Sequence, residues 1–209
     1  MWKLHISGKE NIDRKATYVI VSNHQSGADI LVLFTPRIHF KWVSKRSLFF
    51  FPFIGWNMAM NQYIALRRGK KSSMHRMMEK AREALYNGNS MMIFPEGTRS
   101  KDGRLQPFKS GAFHLALDTH SPILPIVIKG TSHAIKKGGF LISKQHNMQV
   151  VILEPIPYQS FKHLEPKQLA NLVHERIERE LTSPPGMEDH ITSPPGVEDQ
   201  ITSPPDPLS

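Results

Sequence analysis

The sequence predicts an α/β fold in which helices flank a central sheet. Six short runs of β-branched, aliphatic and aromatic residues are typical of strands. Two longer segments, residues 72–87 and 165–181, carry apolar side chains at helical spacing. Strands and helical patterns alternate along the chain, and this alternation is typical of domains whose helices cover a sheet.

The predicted strands are short, and the fourth ends at Pro95 because proline cannot donate a ladder hydrogen bond. The first is a run of β-branched and aromatic residues that leads directly to His24. The six predicted strands are residues 17–22, 39–44, 61–66, 90–94, 123–129 and 148–154.

The two predicted helices have clear apolar stripes. Ser72 is the expected N-terminal cap of the first helix, and Gly88 is its expected stop. The stripe of the first helix consists of Met74, Met77, Met78, Ala81 and Leu85. The stripe of the second consists of Leu169, Leu172, Val173 and Ile177. We expect both stripes to pack into the core.

The charge is distributed unevenly along the chain. Residues 1–181 contain all 27 basic residues but 13 of the 18 acidic ones, a net charge of +14 against +9 for the whole chain. A basic domain suits an anionic membrane, an acidic carrier protein, a phosphorylated substrate or nucleic acid. No nucleic-acid motif is visible, so we expect no nucleic-acid partner. The chain has no cysteine, which excludes disulfides and a cysteine nucleophile.

Residues 182–209 form a segment of different composition, in which a Thr-Ser-Pro-Pro unit recurs with a period of ten. Each unit holds too few apolar residues to offset the entropy of ordering it. The sequence therefore predicts a folded domain over residues 1–181 and a disordered Pro-rich repeat tail over residues 182–209.

His24 and Asp29 form the first candidate site, in the segment NHQSGAD of residues 23–29. A neutral imidazole can take a proton from an alcohol near pH 7, and it does so best when a carboxylate fixes its tautomer. The spacing suits a turn that enters a helix, with Asp29 in the first turn. On spacing alone, a surface histidine followed by a helix-start carboxylate remains the alternative.

The second candidate site is the segment FPEGTRS of residues 94–100. Gly97 allows a sharp turn and close approach to a ligand. Arg99 offers a planar fork that matches a phosphate. Lys109 adds a cation near an expected helix start, where backbone N–H groups also favour anions. A solvated turn with a structural arginine is the alternative.

Four motifs in the same order resemble those of the glycerolipid acyltransferases. Residues 23–29 resemble the first motif, NHxxxxD, and residues 94–100 are similar to the third. Residues 55–67, which end in Arg67, look like the second, and residues 123–130 look like the proline-centred fourth. The resemblance covers residues 8–155, and the most similar subfamily is the 1-acyl-glycerol-3-phosphate acyltransferases. It implies a glycerol-3-phosphate acyltransferase-like fold with a mixed central sheet flanked by helices.

The resemblance also implies roles for individual residues. His24 would be the general base that Asp29 orients, and the acceptor hydroxyl would attack an acyl thioester directly. The residues that would hold the acceptor's glycerol phosphate are Arg67, Glu96, Gly97, Thr98 and Arg99. A serine acyl-enzyme through Ser22 or Ser26 stays open, although we expect Ser26 to hydrogen-bond within its turn.

The expected partners follow from this reaction. They are lysophosphatidate, which would become phosphatidate in phospholipid biosynthesis, and an acyl thioester of coenzyme A or of acyl carrier protein. No cofactor is expected, since the thioester is a co-substrate. No metal is expected either, since no tight second cluster of His or Cys accompanies His24. Two alternatives are another lysolipid acceptor and a catalytically silent lipid-binding protein at the membrane surface.

Residues 48–56, with the sequence LFFFPFIGW, are the most apolar segment of the chain. They are too few for a membrane-spanning helix, which needs about 20 apolar residues, and Pro52 interrupts them. Basic residues lie on both sides, a pattern typical of a membrane interface. A core segment under the sheet is the alternative. We expect a membrane-associated protein on the cytoplasmic face, without a transmembrane helix.

Overall fold

The computed structural model describes residues 3–67, 69–100, 103–132 and 147–183. Its strands are β1 Lys3–Ser7, β2 Val19–Ser22, β3 Phe40–Lys45, β4 Ile64–Leu66, β5 Ser90–Ile93, β6 Ile123–Lys129 and β7 Asn147–Ile152. Its α-helices are α1 Ala28–Val32, α2 Ile54–Met60, α3 Lys71–Tyr86, α4 Gly111–Asp118, α5 Tyr158–Phe161 and α6 Pro166–Thr182. Short 3-10 turns occupy Lys9–Asn11 and Arg46–Phe50.

The strands form one mixed sheet in the order β1-β7-β6-β2-β5-β3-β4. The five strands from β2 to β6 are mutually parallel, whereas β7 is antiparallel to β6 and parallel to β1. The predicted α/β class with a mixed sheet flanked by helices is therefore confirmed. Residues 184–209 lie outside the described residues, so the disordered tail stays a prediction.

The strand predictions were incomplete at both edges of the sheet. Strand β1 was missed because Lys3 and His5 interrupt its short apolar pattern. The third predicted strand, residues 61–66, is too long, since only Ile64–Leu66 is extended. The residues before it close α2, and Gln62 takes a left-handed conformation with φ 54°, which ends the helix rather than starting a strand.

The helix predictions differ from the structure in detail. Helix α3 begins at Lys71 rather than after a Ser72 cap, and no side chain caps its start. Gly88 does follow its end, with φ 77°. Two stripe positions are wrong, because Met74 is 45% exposed and Leu172 is 41% exposed. The remaining stripe residues pack into the core or against it.

The two faces of the sheet are covered differently. Helices α3, α4 and α6 pack on one face, around the buried residues Val19, Met91 and Val127. On the other face, the short helix α1 packs through Ala28 and Val32 onto the aliphatic and aromatic side chains of the sheet. The two clusters fill the space on either side of one sheet, as α/β domains require.

Residues 48–56 do not form a core segment, so that alternative is wrong. Phe50 is 75% exposed, Phe53 is 77% exposed and Trp56 is 64% exposed. Only Gly55 in this segment is buried, against the main chain of Phe49. No helix within the described residues is long and apolar enough to cross a membrane.

The parallel strands bring the candidate residues to one edge of the sheet. The turn after β2 contains His24, the turn after β5 contains Glu96, and Arg67 directly follows β4. Since the carboxyl ends of parallel strands meet at the same edge, these three positions share it. Open α/β sheets bind their ligands at this edge.

Candidate active site

His24 lies in the turn that joins β2 to α1. Its Nδ1 atom is 2.8 Å from Asp29 Oδ2, and Asp29 is the second residue of α1. The structure therefore brings the two residues together in the arrangement that their spacing predicts, a turn running into the first turn of a helix.

The Asp29 carboxylate is fully buried and accepts hydrogen bonds on both oxygens. Oδ2 accepts the backbone N–H groups of Gln25 at 2.7 Å and Ser26 at 2.9 Å, in addition to His24 Nδ1. Oδ1 accepts the hydroxyl of Thr131 at 2.5 Å. These donors compensate the burial of the charge and fix the carboxylate in one orientation.

The His24 imidazole is held flat against Phe94. The two ring centroids are 4.0 Å apart with an interplanar angle of 11°, and Trp42 packs behind Phe94 at 5.4 Å. Because Nδ1 donates to Asp29, the tautomer assigned from this network leaves the lone pair on Nε2. Within the described part of the chain, Nε2 has no hydrogen-bond partner, and the side chain is 15% exposed. The imidazole is thus held in one orientation, and one of its nitrogens remains accessible.

The two serines of this segment have local structural contacts. Ser26 Oγ accepts the backbone N–H of Ala28 at 3.1 Å, as expected for a turn serine. Ser22 Oγ donates to the carbonyl of Asn23 at 3.2 Å. Both residues are at least 99% buried, so neither presents an accessible hydroxyl for an acyl-enzyme.

Glu96 connects the two candidate segments. Its Oε1 accepts the backbone N–H of His24 at 2.6 Å, and its Oε2 accepts that of Gln106 at 3.0 Å. Burial raises the pKa of this carboxyl to about 7, against the lowering effect of the two backbone hydrogen bonds. Both oxygens contact backbone amides, so the observed contacts of Glu96 are structural, and its substrate-binding role stays a prediction.

The rest of the second segment wraps against His24. The backbone N–H of Ser100 donates to the His24 carbonyl at 2.9 Å. Gly97 has φ 72°, and a Cβ there would lie 2.7 Å from Lys109 Nζ. Because glycine lacks a Cβ, the Lys109 ammonium can pack against this turn. Thr98 is exposed and Arg99 is half-buried. Gly97, Thr98 and Arg99 are therefore all brought to the same turn as Glu96.

Arg67 lies farther along the same edge. It is exposed, and three strand spacings of about 4.8 Å separate β4 from β2, or roughly 14 Å across the sheet. An open groove of about 470 Å³ lies beside it, lined by Lys45, Arg46, Ser47, Phe50, Leu66 and Arg67. Lys45 pairs in register with Leu66 across β3 and β4. The groove combines three cations with an apolar floor.

The sequence alone gave no individual role to four residues here, namely Thr131, Asn23, Lys45 and Arg46. Thr131 gave no signal by itself, although it directly follows the glycine that ends the fourth motif. Asn23 was part of the first motif without a role, and its amide donates to and accepts from the backbone of Ile128, both at 2.8 Å. Lys45 and Arg46 precede the aromatic segment and were read only as its basic flank. Contacts with other strands distinguish Thr131, Asn23 and Lys45, and the groove beside Arg67 distinguishes Arg46.

Comparisons with known proteins show the family to which this chain belongs. The acyltransferase family model matches residues 3–129. The chain is 40% identical over 156 residues to the chloroplastic 1-acyl-sn-glycerol-3-phosphate acyltransferase BAT2 of Brassica napus, covering 74% of this chain and 45% of that protein. It is 35% identical over 180 residues to the 1-acyl-sn-glycerol-3-phosphate acyltransferase of Saccharomyces cerevisiae, covering 82% of this chain and 57% of the relative.

A solved structure is also similar. The crystal structure of the 1-acyl-sn-glycerophosphate acyltransferase PlsC from Thermotoga maritima superimposes with a TM-score of 0.76 at 31% identity, covering 86% of this chain and 70% of that one. The chain spans about half the length of the curated relatives it matches.

Proposed function

This chain belongs to the acyltransferase family, and we propose that it transfers a fatty acyl group from a thioester to the sn-2 hydroxyl of 1-acyl-glycerol-3-phosphate. The product would be phosphatidate, for phospholipid biosynthesis. The similar proteins of Brassica napus and Saccharomyces cerevisiae are 1-acyl-sn-glycerol-3-phosphate acyltransferases, which supports this acceptor. The observation that carries the proposal is the His24–Asp29 pair, whose carboxylate is fully buried while the imidazole keeps one accessible nitrogen.

The proposed reaction is a direct transfer. His24 Nε2 removes the proton of the sn-2 hydroxyl while the oxygen attacks the thioester carbonyl. The tetrahedral intermediate collapses with cleavage of the C–S bond, and the leaving thiolate takes the proton back from the imidazolium. Asp29 keeps the proton on Nδ1 and stabilises the imidazolium between the two steps. The burial of Ser22 and Ser26 supports this route over an acyl-serine intermediate.

Cations at the same edge support an acceptor with a phosphate. Arg67 and Arg99 are the proposed phosphate ligands, and Lys45 and Arg46 add charge to the groove beside Arg67. A guanidinium can bind two phosphate oxygens at once. A carboxylate could bind the same guanidinium groups, so the assay must compare an amino-acid lipid with lysophosphatidate as acceptor.

The acyl donor is proposed only as a thioester of coenzyme A or of acyl carrier protein. The net charge of +14 over residues 1–181, from 27 basic and 13 acidic residues, favours both, since one carries phosphates and the other is an acidic protein.

We propose that residues 48–60 bind the protein to an anionic membrane surface. The exposed apolar side chains there are Phe50, Phe51, Phe53, Ile54, Trp56 and Met60. Phe53 has φ 63°, and the adjacent Pro52 carbonyl accepts the N–H of Ile54 at 2.7 Å. This strained turn presents an aromatic ring to solvent, and exposed cations of Lys45, Arg46 and Arg67 lie beside it.

An acyl-transfer assay with purified protein tests the reaction. The acceptors are lysophosphatidate, lysophosphatidylcholine and a lyso amino-acid lipid, each with an acyl-CoA and an acyl carrier protein donor. We expect transfer to lysophosphatidate to exceed transfer to the other two, with a donor preference that the assay defines. Preferred transfer to a neutral or amino-acid acceptor would reject the proposed substrate, and no transfer to any acceptor would favour a silent lipid-binding protein.

A further inference from the structure

The hydroxyl of Thr131 contacts the base site from a distant part of the chain. Thr131 is fully buried and lies 102 residues after Asp29, to whose Oδ1 it donates at 2.5 Å. The same hydroxyl is 3.4 Å from Gln25 Oε1. Because a hydroxyl has one proton, the short charge-assisted contact with Asp29 takes it.

The neighbouring main chain places Thr131 in this position. Asn23 clamps the end of β2 to Ile128 of β6 through two hydrogen bonds of 2.8 Å. After β6 the chain turns at Gly130, which has φ 80° and no room for a Cβ, since one would lie 2.2 Å from the Asn147 carbonyl oxygen. The clamp and the turn together direct Thr131 to Asp29.

The two carboxylate oxygens of Asp29 have different partners. Oδ2 accepts His24 Nδ1 and two backbone N–H groups. Among the described residues, Thr131 provides the hydrogen bond to Oδ1. Without it, a buried carboxylate oxygen would lack a donor, and rotation of the carboxylate or entry of water would relieve that penalty. Either response changes the position of Oδ2 and the orientation of the imidazole.

We propose, on the basis of the acyl-transfer function above, that Thr131 is a positioning residue of the general base. It holds Oδ1 so that Oδ2 keeps the proton of His24 on Nδ1 and the lone pair on Nε2. Thr131 acts through Asp29 and touches no substrate. Its loss therefore lowers kcat while the Michaelis constant for the acceptor changes little.

The kinetic test compares three variants. Thr131→Val removes the hydroxyl at nearly constant volume, and Thr131→Ser keeps it. Thr119→Val is the matched control, because it removes a hydroxyl that donates to the Leu115 carbonyl at the end of α4. We expect Thr131→Val to lower kcat roughly ten- to a hundredfold, the range for a lost hydrogen bond to a charged group. Thr131→Ser and Thr119→Val should retain most of the wild-type kcat.

A second measurement needs no turnover. The ring ¹⁵N chemical shifts of His24, assigned by their absence in His24→Ala, report the tautomer of the imidazole. We expect one dominant Nδ1–H tautomer in the wild type and in Thr131→Ser, and a mixture in Thr131→Val.

Two results would overturn the proposal. One is an unchanged tautomer in folded Thr131→Val. The other is an equal fall in kcat for the Val and Ser variants, which would mean that the overall fit of the Thr131 side chain matters rather than its hydroxyl. A wild type without turnover on any acceptor would reject the proposed function alone, because the tautomer measurement still decides the role of Thr131.

Discussion

Two regions at the same edge of the sheet are built in opposite ways. At the ends of β2, β5 and β6, Asp29 is 0% exposed and Glu96 is 4% exposed, and hydrogen bonds hold both carboxylates. At the ends of β3 and β4, the cations are exposed, and Phe53 and Trp56 are 77% and 64% exposed. The first region is buried and hydrogen-bonded, whereas the second is open, basic and rich in exposed apolar side chains.

The proposed general base and the proposed substrate and membrane contacts would lie in different regions. A general base needs a fixed orientation and tautomer, which buried hydrogen bonds supply. A lipid substrate and a membrane surface need contacts that tolerate movement, and long cationic and aromatic side chains supply those. Substitutions in the base region should therefore change kcat, and substitutions in the exposed region should change the Michaelis constant and membrane partition.

Removal of the base should have the largest effect. We expect His24→Ala to lower kcat roughly a hundred- to ten-thousandfold without unfolding the protein, because the proposed general base is lost. Asp29→Asn should be nearly as damaging, and the double variant little worse, since the pair acts as a unit. His114→Ala, at an exposed position of α4, is the control. Near-normal turnover in folded His24→Ala would contradict the proposed mechanism.

Much of this base region was predictable from the sequence, because its chemistry lies in short segments. The His24–Asp29 spacing predicted a turn into a helix, and the structure has that turn. Partners from distant strands were not predictable in this way. Thr131 reaches Asp29 only because β6 lies beside β2, and strand order cannot be read from spacing. The exposure of Phe50 could not be predicted either, since an apolar segment suits both a buried core and a membrane interface.

The buried carboxyl of Glu96 should make the stability of the protein depend on pH. The pKa of Glu96 is raised from 4.5 to about 7, so the folded state holds this proton more tightly than the unfolded state does. As pH rises from about 4.5 to 7, the unfolded state loses its proton first, and stability falls by about 3 kcal/mol before levelling off.

Urea unfolding of wild type and Glu96→Gln at several pH values measures this effect. In Glu96→Gln, the free energy of unfolding should not show the fall with pH that Glu96 causes. The variant should also be less stable at every pH, because the side-chain N–H₂ group cannot accept the Gln106 N–H. Glu83→Gln, at an exposed position of α3, controls for the loss of one charge. Identical slopes for wild type and Glu96→Gln would show that Glu96 ionises as an ordinary surface carboxylate.

A smaller effect is expected at the cationic groove. We expect Arg67→Ala to raise the Michaelis constant for lysophosphatidate roughly ten- to a hundredfold, with the constant for the thioester nearly unchanged, because a charged hydrogen bond is lost. Steady-state kinetics with each substrate varied in turn make the measurement. Arg82→Ala, which removes an ion pair with Asp118 on α4, is the control. Equal changes in the Michaelis constants of both substrates would reject Arg67 as a ligand of the acceptor phosphate.

The smallest expected effect is on membrane partition, and it tests whether the exposed region is a binding surface. Each aromatic side chain stabilises the bound state only through the part that enters the interface, which is less than the roughly 1.5–3 kcal/mol for full burial. We therefore expect Phe51→Ser with Trp56→Ser to weaken sedimentation with anionic vesicles about tenfold, with the melting temperature unchanged because both positions are exposed. Tyr86→Ser is the matched control, since Tyr86 is 70% exposed at the end of α3, far from the aromatic segment in sequence. Two results would mean that the exposed residues 48–60 contact a partner other than the membrane. One is an equal loss of vesicle binding in Tyr86→Ser, and the other is unchanged vesicle binding in the double variant.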